Sequence, residues 1–339
     1  MPHQSFNMLI VTGANGFLGS YLVCTLLKQG HKVMGLKRSS SSLEEFNQIS
    51  SLLFPRDREM VLSNLVWEDA DLLDVLRLDQ LFEGAEMVFH TAAKVSFNGN
   101  RVELFKVNGE GTANVVNACL KAGVKKLIYA SSTAALGRFD GIGLIDEETQ
   151  WVDDLNNTMY AESKHLAELE VWRGVEEGLD AVVVNPGIIL GAGAWKKGSC
   201  RLFENIYKGL KFYTNGVNGF IGVENLADIM VSLAFSEVKN ERFVMVAENL
   251  TYKELFDTMA EGLGVKAPSI EMKASYLPWA TVLFKINGLL FKNTNLSPET
   301  LRTSVKIHRY NSQKILSLGY KLLPVKDIVL KACQAYPKK

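Results

Sequence analysis

The sequence predicts an α/β fold, a doubly wound and mainly parallel sheet with helices on both faces and a smaller C-terminal cap. Three observations carry this expectation. Short apolar strands alternate with amphipathic helices from Leu9 to Asn185, three glycines stand where the first strand turns into the first helix, and the rhythm changes beyond Pro186. Strands separated by helices of this length need right-handed crossovers, which make neighbouring strands parallel.

Leu9, Ile10 and Val11 form the first buried strand, and Leu18, Leu22 and Leu26 recur at helical spacing behind it, with Gly30 placed to end that helix. His31 to Lys37 is the second strand, and the serines from Ser39 to Ser42 read as a loop or a helix start. A strand from Leu65 to Glu68, a helix from Val75 to Phe82, a strand from Met87 to His90 and a long helix from Val102 to Ala122 follow. The remaining alternation is a strand from Lys126 to Ser131, a helix from Tyr160 to Glu177 and a strand from Ala181 to Asn185. Beyond Pro186 come glycine-rich turns, and the chain is expected to leave the sheet, rejoin it between Ile221 and Val246, and complete the cap from about Thr251.

Gly13, Gly16 and Gly19 lie in TGANGFLG, between strand and helix. A tight bend, a close backbone approach to an anion and close helix packing each favour a residue without Cβ, and the helix N-terminus offers unpaired N–H groups. The run is therefore read as a phosphate-binding turn for a dinucleotide.

Composition sets limits. With 47% hydrophobic and 22% charged residues in 339, the chain is an ordinary globular protein, and 37 basic residues balance 37 acidic ones. No global field recruits nucleic acid or an anionic membrane. Cys24, Cys119, Cys200 and Cys333 have no zinc-like or paired spacing, which fits a reducing compartment, so no metal site and a cytoplasmic location are expected. His90, at a strand end, reads as a packed or cofactor-lining residue. The first ten residues carry no signal-peptide pattern. Pro278 to Phe291 is the most apolar stretch, but fourteen helical residues span only ~21 Å against a hydrocarbon core of ~30 Å.

Tyr160 and Lys164 stand one helical turn apart on a common face, where an ammonium favours the phenolate and lowers the working pKa of a proton-transferring tyrosine. Upstream, Ser132 follows a strand end, where its hydroxyl faces the ligand crevice of a parallel sheet and can bond a substrate carbonyl. Ser131 and Thr133 are expected to satisfy local backbone groups. Asn108, inside the long helix, is expected to disturb the backbone bonding there and hold a water.

These motifs together resemble the extended class of the short-chain dehydrogenase/reductases, over most of the chain. TGANGFLG resembles the TGxxGxxG of that class, YAESK its YxxxK, VNGEGT its asparagine motif, HTAAKV its cofactor strand end and VNPGIILG its RPxxxxG-like segment, with Asn185 replacing the usual arginine. The resemblance implies a Rossmann fold, Ser132, Tyr160 and Lys164 as catalytic residues, and Asn108 as a fourth member acting through water. It implies that Thr12, Gly13, Asn15, Gly16, Phe17, Leu18 and Gly19 hold the cofactor, with Asp71 and Leu72 at adenine. Thr91, Ala92, Ala93 and Lys94 would line the strand end, Pro186, Gly187 and Ile188 would lie near the nicotinamide, and Lys164 would hold the ribose. The DEETQW run from Asp146 to Trp151 is similar to dihydroflavonol and cinnamoyl reductases. Thr133-Ala134 replaces the Asp-Glu pair of sugar-nucleotide dehydratases, and Leu136 replaces the tyrosine usual in the epimerases, which remain the second reading, ahead of a non-enzymatic dinucleotide sensor.

The expected domains are a dinucleotide-binding unit, 1–187 with 217–248, and a substrate cap, 188–216 with 249–339. Lys37 and Arg38 stand where an NAD enzyme places an acidic residue for the ribose 2′-hydroxyl, so NADP is expected over NAD. The expected reaction reduces a ketone or aldehyde, or oxidises the alcohol, of a small molecule with a large apolar part. Trp195, Phe203, Phe212, Tyr213, Tyr276, Trp279, Phe284 and Phe291 supply aromatic surface for it, Lys196, Lys197 and Arg201 leave room for an anion, and 276–291 could rest on a membrane surface. A homodimer through the Val102–Ala122 and Tyr160–Glu177 helices is a family possibility.

Overall fold

The computed structural model describes residues 8–95, 100–137, 143–154, 157–273 and 302–338. In chain order the Rossmann half contains β1 (Met8–Thr12), α1 (Phe17–Lys28), β2 (Lys32–Lys37), α2 (Glu44–Leu53), α3 (Arg58–Leu62), β3 (Leu65–Asp69), α4 (Val75–Phe82) and β4 (Ala85–His90). Then come α5 (Arg101–Phe105), a π-helical turn (Lys106–Glu110), α6 (Gly111–Ala122), β5 (Lys126–Ala130), β6 (Leu144–Ile145), α7 (Met159–Glu176) and β7 (Ala181–Pro186). The rest holds β8 (Ile188–Leu190), α8 (Arg201–Tyr207), β9 (Phe212–Tyr213), β10 (Val217–Gly222), α9 (Val223–Ala234), β11 (Glu241–Met245), β12 (Glu248–Thr251), α10 (Tyr252–Leu263), β13 (Ile270–Glu271), β14 (Arg309–Tyr310) and helices Gln313–Ser317 and Val325–Gln334.

Seven strands form one parallel sheet in the order β11-β7-β5-β4-β1-β2-β3. The order reverses between β1 and β4, so the ligand crevice of such a sheet opens at their carboxyl ends. Apolar side chains from alternate strand positions bury against helices on each face: Val11, Phe89, Ile128 and Val184 with α1, α2 and α9 on one, and Ile10, Val88, Leu127 and Val183 with α4, α6 and α7 on the other. That double burial explains why the strands read as continuous apolar runs.

The predicted elements up to β7 appear within about a residue or two of their expected ends, with two refinements. The long helix carries the π-helical turn around Asn108, where an amide was expected to disturb the bonding. Gly30 (φ +85°) follows the end of α1 in the left-handed region, and its N–H bonds the carbonyl of Leu27. The return of the chain differs in detail: β10 pairs with β8 and β12 in a separate three-stranded sheet, and β11 is the strand that joins the main sheet. A third core, with Phe203, Phe220, Leu255, Met259 and Val329, lies among α8, α10 and helix Val325–Gln334.

Candidate active site

Gly13 (φ +66°) packs so closely against β4's extension that a Cβ there would lie 2.7 Å from the Cα of Ala92, and one on Gly19 would lie 2.2 Å from the Gly13 carbonyl oxygen. Gly16, extended before α1, donates its N–H to that same carbonyl. No side chain caps α1 and its first turn has no acidic residue, so its N–H groups remain available to an anion. These features fit a dinucleotide's diphosphate. Around the turn, Asn15 Nδ2 donates to the Ser42 carbonyl, Leu18 is buried, and the Phe17 ring meets Tyr21 edge to face at 5.7 Å. Thr12 is wholly buried, bonding His90 Nδ1 through its hydroxyl (2.7 Å), while Thr91 Oγ1 donates to the Thr12 carbonyl.

Asn108 clamps the strand end at position 94. Its Oδ1 accepts the Lys94 N–H (2.7 Å), and its Nδ2 donates to the Lys94 carbonyl and to Ser163 Oγ on α7 (both 3.0 Å). The π-helical turn lets this side chain leave the helix toward both neighbours. Lys94 also pairs with Glu103. Asp71 is exposed and accepts from the Leu73 N–H, whereas the Leu72 side chain packs on Gly111 and its carbonyl receives Asn114 Nδ2.

Tyr160, partly buried at the start of α7, is hydrogen-bonded to Ser132; burial raises its pKa and the Ser132 bond opposes that rise. Ser132 Oγ also accepts the Ala134 N–H at 3.1 Å. Lys164 stands one turn further along α7 and is buried. Its ammonium donates to Tyr129 Oη at 2.7 Å and to the Ala130 carbonyl at 2.9 Å. Burial in this position pushes the Lys164 pKa down to about 7, opposed by the charge of Glu168. The physical reason is proximity: β5 lies under the lysine, and a buried ammonium takes the acceptors within reach.

Beneath this group lies a polar layer that local sequence reasoning did not assign. Glu168, one turn beyond Lys164, accepts from Ser131 Oγ (2.6 Å) and Asn185 Nδ2 (2.8 Å) and pairs with Arg242 at 3.3 Å. Asn185 on β7 and Arg242 on neighbouring β11 thus reach the same carboxylate. Asn185 also donates to the Ser132 carbonyl, holding the serine segment against β7. The spacing Tyr160, Lys164, Glu168 was a signal for Glu168; nothing near position 242 signalled Arg242. His90 bridges Thr12 and Thr112 and stacks on Tyr129 at 5.3 Å; burial, then the charge of Lys164, pushes its pKa down to about 3. Among the described residues no group of His, Cys, Asp and Glu side chains can hold a metal.

At the far end, Lys37 forms an ion pair with Asp69 (2.5 Å), and Arg38 is exposed. Pro186 ends β7, Gly187 donates its N–H to the Met245 carbonyl, and Ile188 pairs with Phe220. Phe203 belongs to the cap core, where it meets Trp195 edge to face at 5.6 Å, and is not free to line a substrate pocket. Tyr276, Trp279, Phe284, Phe291 and the apolar 276–291 stretch lie outside the described residues. Among the described residues no helix is long and apolar enough to cross a membrane.

The comparisons agree with this geometry. The sequence profile of the NAD dependent epimerase/dehydratase family matches residues 9–244, and the chain belongs to that family, in its extended short-chain dehydrogenase/reductase branch. It is an NAD(P)-dependent oxidoreductase. Cinnamoyl-CoA reductase 1 of Petunia hybrida is 25% identical over all of this chain and 95% of its own length. The (2S)-flavan-3-ol-forming anthocyanidin reductase of Vitis vinifera is 29% identical over 72% of this chain and 78% of its own. In fold, UDP-glucose 4-epimerase of Thermotoga maritima superposes with a TM-score of 0.75 at 18% identity, over 97% of this chain and 98% of the epimerase.

Proposed function

We propose that the protein is an NADP-dependent carbonyl reductase, able to run as an alcohol dehydrogenase, for a small molecule with a sizeable apolar part. The observation that carries this reading is the Tyr160–Ser132 hydrogen bond beside the carboxyl ends of β5 and β7, one helical turn from Lys164. When bound, the nicotinamide supplies the hydride. Ser132 donates a hydrogen bond to the substrate carbonyl oxygen, which polarises it and fixes its place. Tyr160 gives its proton to the oxygen as negative charge develops there. Lys164 keeps a positive charge beside that transfer and holds ribose hydroxyls. Asn108 and Ser163 set the distance between the strand end at Lys94 and α7.

The glycine turn and the N-terminus of α1 take the diphosphate. Arg38 receives the 2′-phosphate: Asp69 already neutralises Lys37, whereas Arg38 has no ion pair among the described residues. The reductase relatives support reduction as the reaction, and the division into a cofactor unit (1–187 with 217–248) and a cap follows the same reading. Purified protein, supplied with NADPH and screened against aliphatic, aromatic and sugar-nucleotide carbonyl compounds, tests it. Turnover rising with apolar size is expected. Turnover of a UDP-sugar with no net cofactor oxidation would replace the reading by epimerisation.

A further inference from the structure

Lys164 is 2% exposed and makes no ion pair among the described residues. The carboxylate on its own helix whose charge acts on it, Glu168, is already engaged by Ser131, Asn185 and Arg242. A buried ammonium without a paired carboxylate needs other acceptors, since desolvation disfavours its charge. Tyr129 supplies two of them. Its phenol oxygen accepts from Lys164 Nζ at 2.7 Å, and its ring face lies 4.4 Å from the same nitrogen.

We propose that Tyr129 is a positioning residue for Lys164: it holds the ammonium charged and aimed, and ties it to the glycine turn through Thr112, His90 and Thr12. The tie is continuous. Tyr129 is hydrogen-bonded to Thr112 and Ser131, Thr112 Oγ1 bonds His90 Nε2 at 3.0 Å, and His90 Nδ1 bonds Thr12 Oγ1 at 2.7 Å. Ring stacking of His90 on Tyr129 fixes the phenol from the β4 side. Burial keeps the phenol protonated, so it accepts from the lysine and still has a proton to donate. Of the three ammonium hydrogens, β5 takes two, through Tyr129 and Ala130, which leaves one for the chemistry. The titratable groups around this ammonium are Tyr129 on β5, His90 on β4 and Glu168 on α7, with Tyr160 on α7 acting on Tyr129.

The role assigned to Lys164 rests on the function proposed above, so the test separates the two. The 13Cε resonance of Lys164, assigned by its loss in Lys164→Arg, reports the lysine's protonation with no ligand present. In Tyr129→Phe, which keeps the ring and removes the acceptor, its titration midpoint should fall by about one pH unit or more, the scale of one hydrogen bond to a charged group. Thr112→Val keeps the phenol and removes its partner; a smaller shift in the same direction is expected, and this variant carries the test if Tyr129→Phe fails to fold. Unchanged midpoints in folded protein overturn the proposal. NADPH affinity against pH, read from the fluorescence of the bound cofactor, should weaken above a pH that moves with the lysine midpoint. If the midpoint moves and the affinity profile does not, Tyr129 still positions the lysine, and the cofactor-holding role of Lys164 falls instead.

Discussion

At the carboxyl ends of β4, β5 and β7 ionisable groups are buried and share hydrogen bonds, whereas at the ends of β2 and β3 Arg38 and Asp69 are open to water. His90, Tyr129, Lys164 and Glu168 have almost no solvent; the first three carry perturbed protons, and the Glu168 carboxylate accepts from Ser131. Arg38 is exposed, and the Asp69 side chain is 55% exposed despite its pair with Lys37. Water screens the second set and not the first. Burial therefore suits groups whose proton affinity must be tuned, and exposure suits groups whose task is to discriminate one charged ligand from another.

The contrast breaks first at Tyr160. Removing its hydroxyl in Tyr160→Phe should lower turnover by ~10²-fold or more, the scale of a lost positioned acid, while cofactor affinity stays within about twofold. Steady-state kinetics beside fluorescence titration measures both, and an unchanged rate would remove Tyr160 from the chemistry.

The buried side can also be probed by acid. His90 has a folded pKa of about 3, below its unfolded value of ~6.5, so the unfolded chain binds more protons between these limits. The stability that its neutral form contributes is complete above pH ~6.5 and is lost as pH falls toward 3. Urea unfolding from pH 7 to 4.5 should show less of this acid sensitivity in His90→Asn than in the parent; equal slopes would show that other groups set it.

On the exposed side, Arg38→Ala should reduce the preference for NADPH over NADH by roughly tenfold at low salt, and by less as ionic strength rises. Equal affinity of the parent protein for both cofactors would end the assignment. The smallest effect belongs to Asp69→Asn. Loss of a pair whose carboxylate side is open to water should change stability by about 1 kcal/mol or less. If Lys37 is then released toward the phosphate, NADPH affinity rises; no change leaves Arg38 as the sole discriminator.

The main alternation up to β7 was legible because the central strands are buried on both faces and the helices that cover them carry apolar stripes. By contrast, α2, α3 and β6 were not, α3 having no buried residue and β6, like β3, lying at an exposed edge. Gly13 and Gly19 were legible because strand-to-helix contact leaves no room for Cβ, and Gly16 because the same turn is tight there. Tertiary partners were not. Val217–Gly222 has the pattern of a core strand, yet its neighbours are β8 and β12, a choice made by packing far along the chain. The spacing of Tyr160 and Lys164 put both on one helix face, but β5 beneath them decided that the lysine would meet Tyr129. Arg242 meets Glu168 across 74 positions, beyond any local pattern. The aromatics of the cap showed the opposite failure: Phe203 was available as a binding surface in the sequence and is consumed by the cap's own core.

The π-helical turn from Lys106 to Glu110 amounts to a helix with one residue more than its hydrogen bonds require. Such a surplus acts as a gauge of reading frame. Deleting Gly109, at which a Cβ would meet nothing within 4 Å, would let α5 and α6 heal into a regular helix, but everything before the deletion would turn by about 100° relative to α6. Asn108 would swing away from Lys94 and Ser163, so the shortened chain would gain a more regular helix and lose the spacer between β4 and α7. Point substitutions along this helix are therefore a gentler path for sequence change than any single-residue deletion.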